Sequence, residues 1–438
     1  MIGKTAGLTK LRDRFWVGIA VVLGILLLVY ALGMWPRKAV SQRADLHLYY
    51  SVSGQLVAGK LPYRDFSLEY PPLVLVPLVI PHLILPGKPV SYPTYVWLYT
   101  VTGLLTVALL GWLLWLLAKT WPGIRSVRPI LTVYLLLVLL NRDFIFWRYD
   151  LFPALLTFLA FRAVVHQKPL RAGFWLGLAV LAKLYPVILA PVLGLYYLLS
   201  NQYRAGIRFL AGTGLTLSLV LLPLLWASDN QILRFLTYHQ ARGLQIESVA
   251  AGLLLLWQLP DLKAVSTEFN YGAFHLIAAG TNAVLTVLPG LFLAGFSGLL
   301  LLCAKRFQSE VRQAGAISAE NLLRFLVAAL LVFIGANKVF SPQYLVWLLP
   351  FVPFLSIGQF GVFVGILMLT NLIYPVFYSK LIDPTPIGIG LLNLRNLLLL
   401  GWLVSLLMKK APGDHQRPNE LWREPDQGSI PDTAQPPL

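Results

Sequence analysis

Apolar runs of about 20 residues recur from one end of this chain to the other. At 1.5 Å per residue such a run crosses the roughly 30 Å hydrocarbon core of a bilayer. Within hydrocarbon the backbone must satisfy its own hydrogen bonds, which makes these runs helices. Charged residues make up only 12% of the chain and hydrophobic residues 58%, whereas a soluble domain carries about 25% charge. The fold class is therefore an all-α polytopic membrane protein with about twelve transmembrane helices.

The order of runs and basic residues sets a topology. Lys4, Lys10, Arg12 and Arg14 place residues 1–14 in the cytoplasm by the positive-inside rule. Residues 15–35 outlast the apolar core of a signal peptide, and no small-residue cleavage site follows, so they read as a retained first span. Residues 36–92 then form a long first external loop. Its piece PPLVLVPLVIPHLILPGKP is apolar, but six prolines argue for a broken or re-entrant segment. Spans follow over 93–118, 129–140, 151–165, 206–226, 280–304, 322–336, 343–357, 360–378 and 391–408. The block 173–199 has basic residues beyond both ends, so it reads as two short helices turning near Pro186, which lifts Lys183 towards the outer face. A second external loop covers 227–279. The proline-rich tail 411–438 has no apolar period and reads as disordered, leaving a transmembrane domain over 15–410 with both termini cytoplasmic.

The net charge of +17 resides mainly in short loops, where it orients helices. No basic stripe with interleaved aromatics appears, so nucleic acid is not an expected partner. The single Cys303 excludes an intrachain disulfide, and no Cys/His spacing suggests zinc. No cofactor or metal is expected.

Acids are scarce, 18 in 438 residues, yet Asp45, Asp65 and Glu69 fall in one stretch, ADLHLYYSVSGQLVAGKLPYRDFSLEYPPL. The topology puts these acids on the same side as Arg148, Asp150, Lys183, Arg242, Glu247 and Lys338. Ionisable groups near membrane depth are costly and tend to be functional. A carboxylate can take the proton of a sugar hydroxyl, and cations can hold an anionic head group. Together they suffice for inverting glycosyl transfer from a lipid-linked phosphosugar without a metal in principle, because phosphate leaves without an acid.

The same stretch resembles the signature loop of glycosyltransferase family 87, the polyprenyl-phosphate-mannose-dependent α-mannosyltransferases. An Asp opens the loop, a Gly-x-x-Pro-Tyr turn follows, and Tyr-Pro-Pro-Leu closes it. Further pieces resemble the family in order: Arg148-Tyr149-Asp150, Lys183 with Tyr185-Pro186, His239 to Arg242 leading to Glu247-Ser248, and Lys338 through Gln343-Tyr344. The likeness covers residues 15–405. It implies a GT-C membrane fold in a bacterial inner (plasma) membrane and a polyprenyl-phosphate sugar donor. It also implies a glycolipid or glycan acceptor and external catalysis with Asp45 as general base. Arg148, Lys183, Arg242 and Lys338 are the candidate phosphate contacts. Tyr63, Asp65, His239, Glu247 and Gln343 are candidate substrate contacts.

Each residue also has a plainer reading. Asp45 suits the N-cap of a helix starting at Leu46. Arg148 and Asp150 suit a mutual surface pair, and Lys183 suits a snorkelling helix end. Glu247 suits a first-turn helix acid. The rival function is a lipid-linked sugar transporter or flippase without chemistry. It calls for a polar path across the whole bilayer, whereas these charges gather on one side.

Overall fold

The computed structural model describes residues 43–85, 89–124 and 126–408. The expected N-terminal segment 1–14, first span 15–35 and tail 411–438 lie outside them. Helix α1 (Arg43–Val57) carries Asp45 inside its first turn, so Asp45 is not the cap of a helix that starts at Leu46. A tight turn leads to a 3-10 stretch, Pro72–Val74, and to α2 (Leu75–Leu83). The nine residues of α2 rise about 14 Å, under half the bilayer core. Pro81 lies within this helix, so the segment is broken as its prolines imply. α2 packs against α1 and against α3 (Tyr92–Ala118), which starts at Ser91, whose side chain accepts from Thr94 N–H.

Helices α4 (Arg128–Leu140) and α5 (Arg142–Phe146) precede a hairpin of α6 (Leu151–Val165) and α7 (Pro169–Ala182). At Lys183 the backbone is extended, with φ −161° and ψ 142°. A 3-10 stretch, Tyr185–Leu189, and α8 (Ala190–Leu199) follow. Pro186 lacks the amide needed to continue α7, so the block 173–199 is two short helices. α7 then packs on α9 (Tyr203–Ala227) with almost no side chain between them. A methyl group on Gly173 would lie 2.0 Å from the Phe209 carbonyl oxygen, and one on Gly212 2.4 Å from that of Leu170. Small residues that let backbones approach this closely are the usual adhesive of membrane helices.

The segment 227–279, expected as an external loop, is more structured than its polarity suggests. It holds α10 (Arg234–Ala241), α11 (Val249–Trp257) and an antiparallel hairpin of β1 (Ser266–Asn270) and β2 (Ala273–Ile277). Tyr271 and Gly272 turn the hairpin with positive φ at both positions, the two-residue turn whose twist matches paired strands. This hairpin is the departure from an all-α fold among the described residues. Residues 244–246 run beside β2: Ile246 N–H donates to Phe274 (3.0 Å) and Leu276 N–H to Leu244 (2.8 Å).

The chain closes with α12 (Thr281–Ala314), α13 (Ala319–Ala336), α14 (Ile357–Asn371), α15 (Ser379–Ile382) and α16 (Pro386–Met408). The expected span over 343–357 is not an α-helix. It winds as two 3-10 stretches, Pro342–Leu348 and Val352–Phe354, because Pro350 and Pro353 cannot donate to an i−4 carbonyl. Among the described residues, six helices are long and apolar enough to span a bilayer: α3, α9, α12, α13, α14 with its wider-wound extension to Val376, and α16. In α13, 67% of the apolar window is buried, against 17% in α9 and in α12. α13 is thus a central helix of the bundle, while α9 and α12 turn apolar surface outward, as helices facing lipid do.

Candidate active site

A cavity of about 1480 Å³ lies where α1, the ends of α6 and α7, the segment 227–279, α12 and the break after α14 converge. Four cations line it, Arg148, Lys183, Arg242 and Lys338, with four carboxylates, Asp45, Glu69, Asp150 and Glu247. His239 and Gln343 line it as well.

A layer of aromatic rings positions Asp45. Tyr49, one turn along α1, meets Tyr149 edge-on at 6.1 Å, and Tyr149 meets Tyr70 at 5.1 Å. These contacts lay the start of α1 over Arg148, whose guanidinium pairs with the Asp45 carboxylate. The suggested Arg148–Asp150 pair is therefore not formed. Asp150, 1% exposed, accepts instead from Lys183 Nζ and from Trp347 Nε1, each at 2.6 Å. Lys183 is no snorkelling helix end either. Its ammonium lies 4.7 Å from the Tyr149 ring and 5.4 Å from that of Trp347, as a cation bound by π faces and one carboxylate. An ammonium has three protons, and Asp150 takes one of them.

Lys338 has a mainly structural contact. Its Nζ donates to the carbonyls of Gln240 (2.8 Å) and Arg242 (2.6 Å), while its own carbonyl accepts from Gln245 N–H at 2.9 Å. This clasp fixes the turn after α10 and with it the Arg242 side chain. Arg242 Nε is buried and has no hydrogen-bond partner among the described residues. The cations act on one point: His239 is pushed down to about 4 by burial and then by Arg242, Lys183 and Lys338. It is therefore neutral at pH 7.

Glu247 lies deeper, 2% exposed, just before α11 rather than in its first turn. Its Oε2 accepts from Gln245 Nε2 (3.0 Å) and from the Tyr378 hydroxyl (3.3 Å), whereas Oε1 is buried and unpartnered among the described residues. Burial raises its pKa to about 7, against the opposing pull of Arg395 and the two hydrogen bonds.

Two expected substrate contacts do not reach the cavity. Tyr63 is buried against Phe235, and its hydroxyl donates to the Tyr70 carbonyl at 2.7 Å. Asp65 closes its own turn by accepting from Leu61 N–H at 2.8 Å and pairs with Arg64. Both shape the loop. Glu69, not among the expected contacts, also lines the cavity, as does Tyr149 of the Arg148-Tyr149-Asp150 piece, while Trp347 and Tyr378 join it without any local motif.

The fold and site define a bundle of long apolar helices around a mixed-charge cavity. The family model for glycosyltransferase family 87 matches residues 68–333, more than half of the 438-residue chain. The chain belongs to glycosyltransferase family 87 and is a transferase, which sets the transporter reading aside. Asp45, Lys338 and Gln343 fall outside the matched residues, so their place in the site rests on geometry. A search of curated proteins found no match.

Proposed function

We propose that this glycosyltransferase moves a hexose, mannose by its family resemblance, from a polyprenyl phosphate to a glycolipid or glycan acceptor, at the external face of the bacterial inner membrane. The carrying observation is the division of labour among the cavity carboxylates. Asp150 is spent on Lys183 and Trp347 and Glu247 is deeply buried, which leaves Asp45 and Glu69, and the family resemblance assigns the base to Asp45. Asp45 keeps 29% of its side chain exposed at the cavity lining. Asp45 is then the general base. Its carboxylate takes the proton of the acceptor hydroxyl while that oxygen bonds to the anomeric carbon from the face opposite the phosphate. The carbon–oxygen bond to phosphate breaks with inversion, and polyprenyl phosphate leaves carrying the electron pair. Arg242, with its unmet donor, and Lys183 meet that charge. His239 and Gln343 line the sugar side. The apolar wall of Leu285, Leu288, Pro289 and Phe292 on α12, whose outer surface faces lipid, suits the isoprenoid chain.

The test is transfer from labelled polyprenyl-phosphate-mannose in membranes carrying wild type or Asp45→Asn. Loss of the base lowers the rate by about 10²–10⁴-fold. Equal rates in the two membranes overturn the assignment.

A further inference from the structure

The hairpin of α6 and α7 has a second chemical end. Asp150 and Lys183 occupy its cavity end, and the turn between the two helices lies some 15 residues away, about 22 Å at helical rise. There a separate pocket of about 510 Å³ is lined by Arg162, His166, Lys168, Arg171, Phe174 and Trp175 among others, with no carboxylate in its lining among the described residues. The turn is rigidly built. Gln167 takes a positive φ of 55°, Lys168 N–H donates to Ala163 (2.8 Å) and Gln167 N–H to Val164 (2.9 Å). These are the paired bonds of a Schellman cap. Gln167 Nε2 ties the turn to the Tyr196 hydroxyl at 2.9 Å.

Two polar atoms in this pocket have no partner among the described residues: Arg162 Nε and His166 Nε2, both buried. Burial and then Arg162 and Lys168 hold His166 below its ordinary range, so the ring is neutral and can donate or accept. Lys168 and Arg171 are exposed at the rim. Beyond them, Leu170 and Phe174 are 53% and 43% exposed, an apolar strip that leads out of the pocket. α9 lies alongside this strip, with Gly212 against the backbone of Leu170 and Phe174.

We propose that this pocket binds the head group of an anionic phospholipid at the membrane face opposite the cavity. The phosphate meets Arg162, His166, Lys168 and Arg171, and an acyl chain runs along Leu170 and Phe174. Basic pockets between membrane helices are built for such head groups. The site is independent of which sugar is transferred.

The test uses purified full-length protein in neutral detergent, titrated with short-chain phosphatidylglycerol, short-chain phosphatidylcholine or glycerol phosphate, with bound ligand read by native mass spectrometry. Wild type retains one phosphatidylglycerol and releases the other two. Lys168→Gln with Arg171→Gln changes only exposed side chains and weakens phosphatidylglycerol about 25-fold, roughly fivefold per charge. Arg162→Gln, checked for an unchanged melting midpoint, weakens it further. Equal retention of phosphatidylglycerol and phosphatidylcholine overturns the proposal, as does unchanged affinity in the double variant. Equal binding of glycerol phosphate replaces the lipid with a soluble phosphate ligand and also overturns it.

Discussion

Replacing Glu247 with glutamine removes one titrating proton from the cavity floor and keeps the shape of the side chain. Burial raises this carboxyl from 4.5 to about 7, and Arg395, Tyr378 and Gln245 offset only part of that cost. At about 1.4 kcal/mol per pKa unit, the ionised form is disfavoured in the folded protein by about 3 kcal/mol. The folded pKa lies above the unfolded one, so the stability tied to the protonated form is fully present below 4.5 and is lost as pH rises through about 7. Wild type therefore loses about 3 kcal/mol from this site between pH 4.5 and 8, and Glu247→Gln does not. His239 has the opposite sign. Its pKa is depressed to about 4, so its contribution is present above 6.5 and lost on acidification. Both proteins carry that term, and their difference cancels it. Unfolding in detergent at pH 5, 6, 7 and 8 measures the two slopes. Parallel slopes would refute the account of a buried, half-satisfied carboxyl.

Other substitutions probe other parts of the site. Arg242→Gln removes a buried donor with no partner among the described residues, so KM for the lipid-linked donor rises about 10- to 100-fold in steady-state kinetics while the melting midpoint holds. Lys183→Met strands the Asp150 carboxylate in a buried site and costs about 3–5 kcal/mol in detergent unfolding. Adding Asp150→Leu to that variant restores most of the stability without restoring transfer. Gly173→Ala drives a methyl into the backbone of α9 and destabilises by about 1–3 kcal/mol, whereas Gly194→Ala, with open space around it, is neutral or stabilising in the same thermal assay.

Much of this architecture is legible in the chain because bilayer thickness imposes a length on apolar runs. The helix ends at Ala118, Val165 and Met408 follow from that length and from flanking basic residues. The break at Lys183 is legible because Pro186 cannot continue a helix, and that break brings a lysine to the cavity. The segment 343–357 misleads for a related reason: its hydrophobicity matches a span, while Pro350 and Pro353 decide the winding. The hairpin at 266–277 is hidden by its short strands and polar setting. Within the cavity, residue types are visible from sequence but pairings are not. Nothing local in Arg148-Tyr149-Asp150 says that the arginine turns to Asp45 and the aspartate to Lys183 and Trp347. Those choices are made by rings such as Tyr49 and Tyr149, whose packing is set only in the assembled bundle.

The two partners of Asp150 also impose a timetable on synthesis. Lys183 follows Asp150 by 33 residues, and Trp347 follows by 197. At roughly 5–20 residues per second, the ammonium emerges about 2–7 s after the carboxylate and the indole about 10–40 s after it. The nascent chain thus has its charge neutralised early, while the hairpin of α6 and α7 is still at the insertion machinery. The indole arrives after α13 has been made and closes a site whose ionic half is already in place.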